Sequence, residues 1–305
     1  MIDITHKSFS KRQAIATARV RVSQAATITA IREHQVPKGD VLEMARTAGL
    51  FAVKKTSELI PDCHPLPVEF TKISYEISDI DILIRVEVHT VYKTGVEVEA
   101  MHGASVVALT LYDMLKPIDK GIVIEQIALE KKKGGKSDLK KDINPELQAA
   151  VIVCSDSISQ GVKEDTSGKN IVSVLQRHAV QIADYAIIPD EKEIIQEQVW
   201  KQVSAKMNII IFTGGTGLSA RDVTPEALIP LLDRRLPGVE ETIRSYGQER
   251  MPYAMLSRSV AGMIANTLVL ALPGSSRGAL ESMEAIFPAV LHIFKVMQGG
   301  RHEEN

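Results

Sequence analysis

The sequence of 305 residues predicts an α+β ferredoxin-like domain followed by an α/β three-layer domain with a mostly parallel sheet. Three observations lead to this prediction. The stretch Lys131–Glu146 is charged, contains glycines and a proline, and lacks apolar periodicity, which is typical of a domain boundary. Before this stretch one segment alternates apolar and polar residues. After it the apolar runs are short and continuous. We therefore predict two domains, at residues 1–142 and 147–305.

The first domain is predicted to have the element order β-α-β-β-α-β, which is typical of the ferredoxin-like split βαβ unit. Period-2 alternation and a turn near Asp79 predict its antiparallel hairpin. Its first helix is predicted from the N-cap Asp40 and from an apolar stripe of Val41, Met44, Ala45, Ala48 and Ala52. The other predicted elements are strands at Ala18–Ser23, Val68–Ile77, Ile80–Val88 and Ile122–Leu129, and a helix at Val96–Leu115.

The second domain is predicted from continuous apolar strands that alternate with helices, a pattern typical of a parallel sheet covered on both faces. The strands are expected at Ala149–Cys154, Tyr185–Ile188, Asn208–Phe212 and Thr267–Leu272. Helices are expected around Thr166–His178, Glu191–Lys206 and Gly278–Met297.

Charge and composition argue against several classes of protein. The chain has 36 basic and 38 acidic side chains, a net charge of −2 and 4% aromatic residues, which disfavours a dedicated nucleic-acid binder. Two cysteines, Cys63 and Cys154, cannot build a disulfide framework and suit a reducing compartment. No secretory signal is evident, and no apolar run approaches the ~20 residues that span a bilayer. We expect a soluble, cytoplasmic protein without a membrane partner.

A glycine-rich turn follows the third predicted strand of the second domain. Its residues are Thr213, Gly214, Gly215, Thr216 and Gly217, and glycines there let backbone N–H groups approach an anion. The turn lies where open α/β sheets bind ligands. It is neither G-x-G-x-x-G nor a Walker loop, so a dinucleotide oxidoreductase is disfavoured. A turn with a purely structural role remains the alternative.

Acidic and basic residues near this turn strengthen the prediction of a phosphate site. Arg221 and Asp222 precede a helix start at Thr224-Pro225, and Arg can fork onto phosphate oxygens. A carboxylate beside a phosphate needs a cation such as Mg²⁺. Asp190 ends another strand, although by itself it would more simply be a helix cap. Ser155-Asp156 and Pro273–Ser276 also follow strands, which predicts one shared crevice.

Taken together, these motifs resemble the molybdopterin adenylyltransferases (MogA/MoaB-like). The resemblance rests on TGGTG at 213–217 followed by RDVTP at 221–225, and on IPDE, SDS, LPG at 236–238 and LPGSS at 272–276. It implies transfer of AMP from ATP to molybdopterin with Mg²⁺, with Asp190 and Asp222 as the essential, metal-holding acids. The residues implied to bind substrate are Thr213, Gly214, Gly215, Thr216, Gly217, Arg221 and Ser275, although a helix cap explains Ser275 equally well.

The first half has a second group of polar residues that suits an anion. Three prolines surround Cys63-His64 and fix the loop, but one Cys and one His are too few for a structural zinc site. A buried, hydrogen-bonded histidine is the alternative. Asp113 and Lys116 lie at i and i+3 on one helix, and Lys38 precedes another helix start. Lys132 belongs to a charged run that on its own would be solvated.

These residues resemble cyclic pyranopterin monophosphate synthase (MoaC). The matching segments are PKGD, KKTSELIPDCHPL, GVEVEA at 95–100, ALTLYDMLK and KKKGGKS. The resemblance implies rearrangement of a cyclic dihydroguanosine triphosphate with release of pyrophosphate. It implies catalytic roles for Asp113, Lys116, Lys38 and Lys132, and substrate binding by Lys54, Asp62, Cys63, His64, Val98 and Glu99. We expect burial or neighbouring groups to bring the pKa of Lys116 toward the working range, as suits an acid/base partner of Asp113. Asp62, His102 and Asp138 depart from the family pattern.

The leading hypothesis is a bifunctional enzyme of molybdenum cofactor biosynthesis that acts on pterin and nucleotide substrates. The resemblances imply a homo-oligomer with threefold symmetry, a trimer or hexamer. Mg²⁺ and ATP are expected for the second domain, and no cofactor is assigned to the first. The alternative keeps the synthase but makes the second domain a molybdopterin-binding scaffold.

Overall fold

A computed structural model describes residues 1–135, 146–297 and 299. The chain divides into two compact units, one on each side of residues 136–145. The predicted limit at residue 142 and the departure at Asp138 lie outside the described residues, so the predicted domain bounds stay predictions.

The first unit is an antiparallel sheet with helices. Its elements are β1 (Ser10–Arg21), α1 (Ala25–Arg32), α2 (Val41–Lys54), α3 (Thr56–Leu59), β2 (Phe70–Ile77), β3 (Asp81–Tyr92), α4 (Glu97–Leu115) and β4 (Val123–Lys133). The strand order is β2-β3-β1-β4, with antiparallel neighbours throughout. Alternate residues of β3, from Ile82 to Thr90, are buried. The α+β prediction is therefore confirmed, and the order is compatible with the ferredoxin-like assignment, which stays a prediction.

Helices α2 and α4 pack closely through small residues. A Cβ atom on Gly103 would lie 2.6 Å from Val53 Cγ2, and one on Gly49 would clash with Val107. Asp40 caps α2 as predicted, because its side chain accepts a hydrogen bond from Glu43 N. The predicted apolar stripe was wrong at Met44, which is 53% exposed. The buried stripe instead passes through Gly49, which a count of apolar residues leaves out.

The second unit has a six-stranded sheet in the order β6-β5-β7-β10-β9-β8. Strands β6, β5, β7 and β10 are parallel, whereas β9 pairs in antiparallel fashion with both of its neighbours, β10 and β8. The elements are β5 (Gln148–Cys154), α5 (Asp156–Ser159), α6 (Ser167–Arg177), β6 (Gln181–Ile188), α7 (Lys192–Ser204), β7 (Ile209–Thr213), α8 (Thr224–Leu228), β8 (Arg234–Arg235), α9 (Pro237–Gln248), β9 (Val260–Ile264), β10 (Thr267–Leu272), α10 (Ser276–Ile286) and α11 (His292–Met297).

Both faces of this sheet are covered, so the prediction of an α/β domain with a mostly parallel sheet is confirmed. One apolar cluster joins Val151, Ile211 and Leu270 to residues of α6, α9 and α10. The other joins Ile152, Phe212 and their neighbours to residues of α7 and α8. Because successive strand residues point to opposite faces, fully apolar strands supply both clusters.

The strand order places a topological switch point between β5 and β7. The chain leaves β5 for β6 on one side and later reaches β7 on the other, so the direction of winding reverses there. Such switch points, beyond the carboxyl ends of the strands, are where open α/β sheets bind ligands. Two predicted helix bounds were wrong. Helix α8 begins at Thr224 with Val223 as its N-cap, and the predicted last helix is interrupted around Pro288.

Candidate active sites

In the first domain, Asp113 holds two lysines at the end of α4. Lys116 Nζ lies 2.7 Å from Asp113 Oδ1, and Lys38 Nζ lies 2.7 Å from Asp113 Oδ2. Lys38 Nζ also donates to the Asp113 carbonyl oxygen at 2.9 Å. Hydrogen bonds from Lys116 and then Lys38 lower the pKa of Asp113 to about 2. The three predicted residues therefore form one exposed, net positive cluster, which we call the α4 C-terminal cluster.

The expected pKa shift of Lys116 was wrong in direction. The Asp113 carboxylate accepts a hydrogen bond from Lys116 and raises the pKa of that lysine. A nearby anion favours the charged form of an amine. Lys116 is thus protonated at neutral pH, and it is a proton donor before it can act as a base.

A second group, the α4 N-terminal cluster, is built around Glu99. The side chain of Glu99 is buried, and its Oε1 accepts a hydrogen bond from Cys63 Sγ at 3.1 Å. Burial raises the pKa of Glu99. Burial, and next the hydrogen bond to Glu99, raise the pKa of Cys63 to about 12. Cys63 is therefore a thiol donor rather than a thiolate nucleophile at neutral pH. Glu99 Oε2 is buried and has no hydrogen-bond partner among the described residues.

The remaining predicted residues of the first domain lie around the start of α4 or near it. His64 Nε2 donates to the Ile2 carbonyl oxygen at 2.8 Å, and Lys132 Nζ lies 3.4 Å from Glu97 Oε1. Asp62 Oδ1 is 2.8 Å from the Met1 amino group, with a side chain 86% exposed. His102 Nδ1 lies 3.1 Å from Thr56 Oγ1. Lys54 ends α2, and Val98 is exposed in the first turn of α4.

The structure does not bring these two clusters together within one chain. Glu99 and Asp113 are at opposite ends of α4, and their 14-residue separation on a helix corresponds to about 21 Å. A reacting group must approach its catalytic partners to roughly 3 Å. One chain therefore holds two separated halves of the predicted site. The α4 N-terminal cluster contains the acid Glu99, and the α4 C-terminal cluster is net positive.

In the second domain, the predicted phosphate turn is shaped by its glycines. Gly214 has a φ of +108°, and a Cβ there would fall on the carbonyl oxygen of Cys154. Gly215 has a φ of +60°, and a Cβ there would lie 2.9 Å from Asp190 Oδ1. Only glycine adopts a backbone with positive φ at low cost in free energy where neighbouring atoms leave no room for a Cβ atom. The turn thus passes directly beside the end of β5 and beside Asp190.

Asp190 and Asp222 both border this turn, and they differ in environment. Asp190 is half-buried, and desolvation raises its pKa, with Asp156 and Asp222 adding to the effect. Its Oδ1 atom is buried without a hydrogen-bond partner among the described residues. Asp222 Oδ2 accepts from Ser219 N at 2.7 Å, and Ser219 is the first cause of its lowered pKa. A Cβ on Gly217 would lie 2.8 Å from Asp222 Oδ2.

The alternative of a simple helix cap does not fit Asp190. Helix α7 has Glu191 as its N-cap, with no side-chain cap bond. Asp190 Oδ2 instead accepts from Asp156 N at 3.3 Å, and Asp190 N donates to Asp156 Oδ1 at 3.1 Å. Arg221 Nε and Nη2 both donate to Asp156 Oδ2, at 3.0 and 2.6 Å. Asp156 therefore joins the ends of β5 and β6 to the loop after β7.

Arg258 is a site residue that the sequence reasoning missed. Its Nε donates to Gly217 O at 2.8 Å, its Nη2 donates to Asp222 O at 2.7 Å, and its amide donates to Thr216 O at 3.1 Å. Glu226 pairs with its remaining nitrogen. Arg258 thereby fixes the turn that carries Asp222. No local sequence motif predicts the role of Arg258, because its partners lie more than 30 residues earlier in the chain.

Two predicted binding residues have structural contacts instead. Thr213 is fully buried, and its hydroxyl donates to Pro273 O at 2.8 Å. Ser275 accepts from Gly278 N and caps α10, as its alternative interpretation proposed. A substrate contact through either residue stays a prediction.

The second site suits Mg²⁺ by its donor chemistry. Mg²⁺ in phosphate-handling sites is held by one or two carboxylates together with substrate oxygens. Asp190 offers an unpartnered buried oxygen, and Asp222 is an ionised neighbour. Among the described residues no three His, Cys, Asp or Glu side chains gather into a metal site, so the remaining ligands would be water and phosphate oxygens. In the same part of the chain, no helix is both long and apolar enough to cross a membrane.

Comparison with known proteins explains why two such sites occur in one chain. Residues 1–135 match the MoaC family, and residues 150–292 match the probable molybdopterin binding domain. The Molybdenum cofactor biosynthesis bifunctional protein of Chlorobaculum tepidum is 41% identical over 302 residues, which are 99% of this chain and 96% of that protein. The chain belongs to this family of bifunctional proteins. Its first domain is therefore a MoaC domain, and its second domain belongs to the family described as the probable molybdopterin binding domain. Both are domains of molybdenum cofactor biosynthesis.

Relatives of the separate halves are also known. The Cyclic pyranopterin monophosphate synthase of Clostridium perfringens is 48% identical over 139 residues, 45% of this chain and 87% of that protein. The crystal structure of the molybdopterin biosynthesis enzyme MoaB from Thermus thermophilus covers 50% of this chain and 97% of its own, with 38% identity and a TM-score of 0.48.

Proposed function

We propose that the second domain transfers AMP from ATP to the terminal phosphate of molybdopterin. The observation that carries the proposal is the meeting of Asp190, Asp222 and the glycine turn beyond the ends of β5 and β7. The backbone N–H groups of Gly215 and Thr216 would bind phosphate oxygens, since the amide of Gly214 donates to Leu272 O and that of Gly217 donates to Asp222. Asp190 and Asp222 would hold Mg²⁺, which when bound neutralises the charge of the reacting phosphates.

The residues of this chain have separable tasks in that reaction. Arg258 holds the carbonyls of Gly217 and Asp222, so the turn is already formed before a ligand arrives. The half-buried position of Asp190 keeps one carboxylate oxygen out of water and available to a ligand. Nucleotidyl transfer needs little more than positioning and charge neutralisation, and this arrangement supplies both.

The test is AMP transfer by the full-length protein incubated with Mg-ATP and molybdopterin. We expect product with the wild type and a loss of more than ~100-fold in rate with Asp222→Asn, since this change removes a charge at the reacting phosphates. Asp233→Asn, in the segment before β8, is the matched control and should retain full activity. Tight molybdopterin binding without AMP transfer by the wild type would instead support the scaffold alternative.

We propose that the first domain converts the cyclic dihydroguanosine triphosphate to cyclic pyranopterin monophosphate and pyrophosphate. The α4 C-terminal cluster supplies two ammonium groups that bind phosphate oxygens, with Lys116 as proton donor and ionised Asp113 as its acceptor partner. Glu99, whose pKa burial raises, and the Cys63 thiol provide hydrogen-bond partners for a polar ring system. Lys132, Lys54 and His64 add positive charge or hydrogen bonds at that end of α4.

The matched pair Lys116→Ala and Lys120→Ala tests this assignment. Both residues are exposed, and only Lys116 contacts Asp113. We expect Lys116→Ala to remain folded and to lose pyrophosphate release by about 100-fold or more, as removal of a general acid does. Lys120→Ala should be unaffected. A fully active Lys116→Ala protein would remove Lys116 from the mechanism.

We further propose that the protein is a cytoplasmic homo-oligomer with threefold symmetry, in which subunit contacts complete the first site. The distance between the two ends of α4 supports this proposal, because both clusters carry residues of one predicted site. A C-terminal cluster from one protomer placed against an N-terminal cluster from its partner would give a site with lysines and a buried acid together.

A further inference from the structure

The Asp156 carboxylate is paired with Arg221, which is the cation that the phosphate site offers to a ligand. Both Arg221 nitrogens that donate, Nε and Nη2, bind the same oxygen, Asp156 Oδ2. The other oxygen accepts the amide of Asp190. The ion pair is exposed, with 61% of the Arg221 side chain and 35% of the Asp156 side chain accessible. An exposed ion pair has little net stability, so its partners can exchange readily.

Charge at the crevice makes such an exchange necessary for a phosphate ligand. Asp190 and Asp222 border the glycine turn, and the negative charges of Asp156 and Asp222 both act on Asp190. Arg258 donates hydrogen bonds to loop carbonyls and forms an ion pair with Glu226, so it contributes little positive charge to a ligand in the crevice. A phosphate entering beside Asp156 meets a like charge unless Arg221 turns toward it. A guanidinium binds phosphate with two parallel hydrogen bonds, as it binds a carboxylate.

We propose that Asp156 is an internal counter-anion, which holds Arg221 until the phosphate of a ligand displaces it. The consequence is selectivity for charge. A multiply charged phosphate competes well with one carboxylate, whereas a singly charged anion does not. Asp156 thus determines which ligands gain access to Arg221, while its Oδ1 atom keeps Asp190 in place. This inference rests on the proposed function only in requiring that a phosphate binds at the glycine turn.

Asp156→Asn separates the two tasks of this residue. Asparagine retains an Oδ1 atom that can accept from Asp190 N, but it loses the charge that holds Arg221. Calorimetric titration of the full-length protein with inorganic pyrophosphate, without Mg²⁺, should show about fivefold tighter binding to this variant than to the wild type. Glu281→Gln removes a comparable Arg–carboxylate pair on α10, with Arg277, and should leave the affinity unchanged.

A double-mutant cycle with Arg221→Gln assigns the gain to the exchange. In that background Asp156→Asn should tighten binding less than ~2-fold, because no guanidinium is released. Sites in the first domain contribute equally to all four proteins, since both substitutions lie in the second domain. Misfolding cannot produce a gain in affinity.

Three outcomes would overturn the inference. Equal pyrophosphate binding by the wild type and Asp156→Asn, or weaker binding by the variant, would show that Asp156 only connects the strand ends; the phosphate site itself would stand. An equal gain in the Arg221→Gln background would show that the charge acts without Arg221. A pyrophosphate titration that neither Asp156→Asn nor Arg221→Gln changes would refute the phosphate site as well.

Discussion

At the scale of single residues, the predicted sites are distinguished by acids in unequal environments. Asp113 is exposed and flanked by two lysines, whereas Glu99 and Asp190 are desolvated. Glu99 and Asp190 also share a feature that the rest of their domains rarely shows, a buried carboxylate oxygen without a partner among the described residues. Because an unpaired buried oxygen is costly, such atoms indicate places that a ligand, water or ion completes.

The lowered pKa of Asp113 gives a pH dependence with a definite sign. A carboxylate whose folded-state pKa is depressed stabilises the fold above its ordinary value, and this contribution is lost as the pH falls toward the folded value. For Asp113 that window lies between 3.8 and about 2. We expect carbon-13 NMR to place its titration midpoint below 3.8, and Lys116→Gln to move the midpoint upward. A wild-type midpoint at or above 3.8 would contradict the cluster.

Some site residues could be predicted from the sequence and others could not. The two groups differ in how far along the chain their contacts reach. Asp190, Asp222 and Gly214 belong to continuous motifs, because the local backbone itself creates their chemistry. Arg258 acts on carbonyls that lie 36 and 41 residues earlier, and Arg221 reaches Asp156 across 65 residues. Such contacts depend on how the strands are ordered in the sheet, which no local pattern specifies.

At the scale of elements, the junction of β7 with the glycine turn is the most constrained part of the second domain. Gly214 has a positive φ and faces the Cys154 carbonyl. Gly214→Ala should therefore destabilise the protein by about 1–3 kcal/mol and weaken pyrophosphate binding. Gly238, in the first turn of α9, has open space around its missing Cβ. Gly238→Ala is the control and should leave stability within ~0.5 kcal/mol.

Urea denaturation of the full-length variants measures both effects. Equal stability of Gly214→Ala and the wild type would show that the turn relaxes easily, and the account of a preformed phosphate turn would then be wrong. The same comparison applied to pyrophosphate titrations separates loss of the turn from loss of the domain.

Element prediction succeeded where periodicity was strong and failed where small residues replace apolar ones. The sequence predicts the alternation in β3 and the four parallel strands of the second sheet, but it misses β9, although that strand is continuously buried, and the two-residue strand β8. Strand β1 begins earlier than predicted, because two of the buried residues before Ala18 are alanines, Ala14 and Ala16, which carry little strand preference. The stripe of α2 was misassigned at Met44 because Gly49 occupies a buried position against α4.

At the scale of the whole molecule, the separation of the two α4 clusters predicts shared sites. Asp113→Asn disables the C-terminal cluster, and Glu99→Gln disables the N-terminal cluster. If each site uses one cluster from each of two protomers, unfolding and refolding the two inactive variants together should restore about a quarter of wild-type pyrophosphate release, as random pairing requires. No recovery in verified mixed oligomers would show that each chain forms its first site alone.

We propose that the two domains act independently, each in its own step of molybdenum cofactor biosynthesis. The most direct measurement assays both reactions, pyrophosphate release and AMP transfer, on the same preparations of Lys116→Ala and Asp222→Asn. We predict that Lys116→Ala loses only pyrophosphate release and that Asp222→Asn loses only AMP transfer. Loss of both reactions in either folded variant, or retention of AMP transfer by Asp222→Asn, would contradict the account.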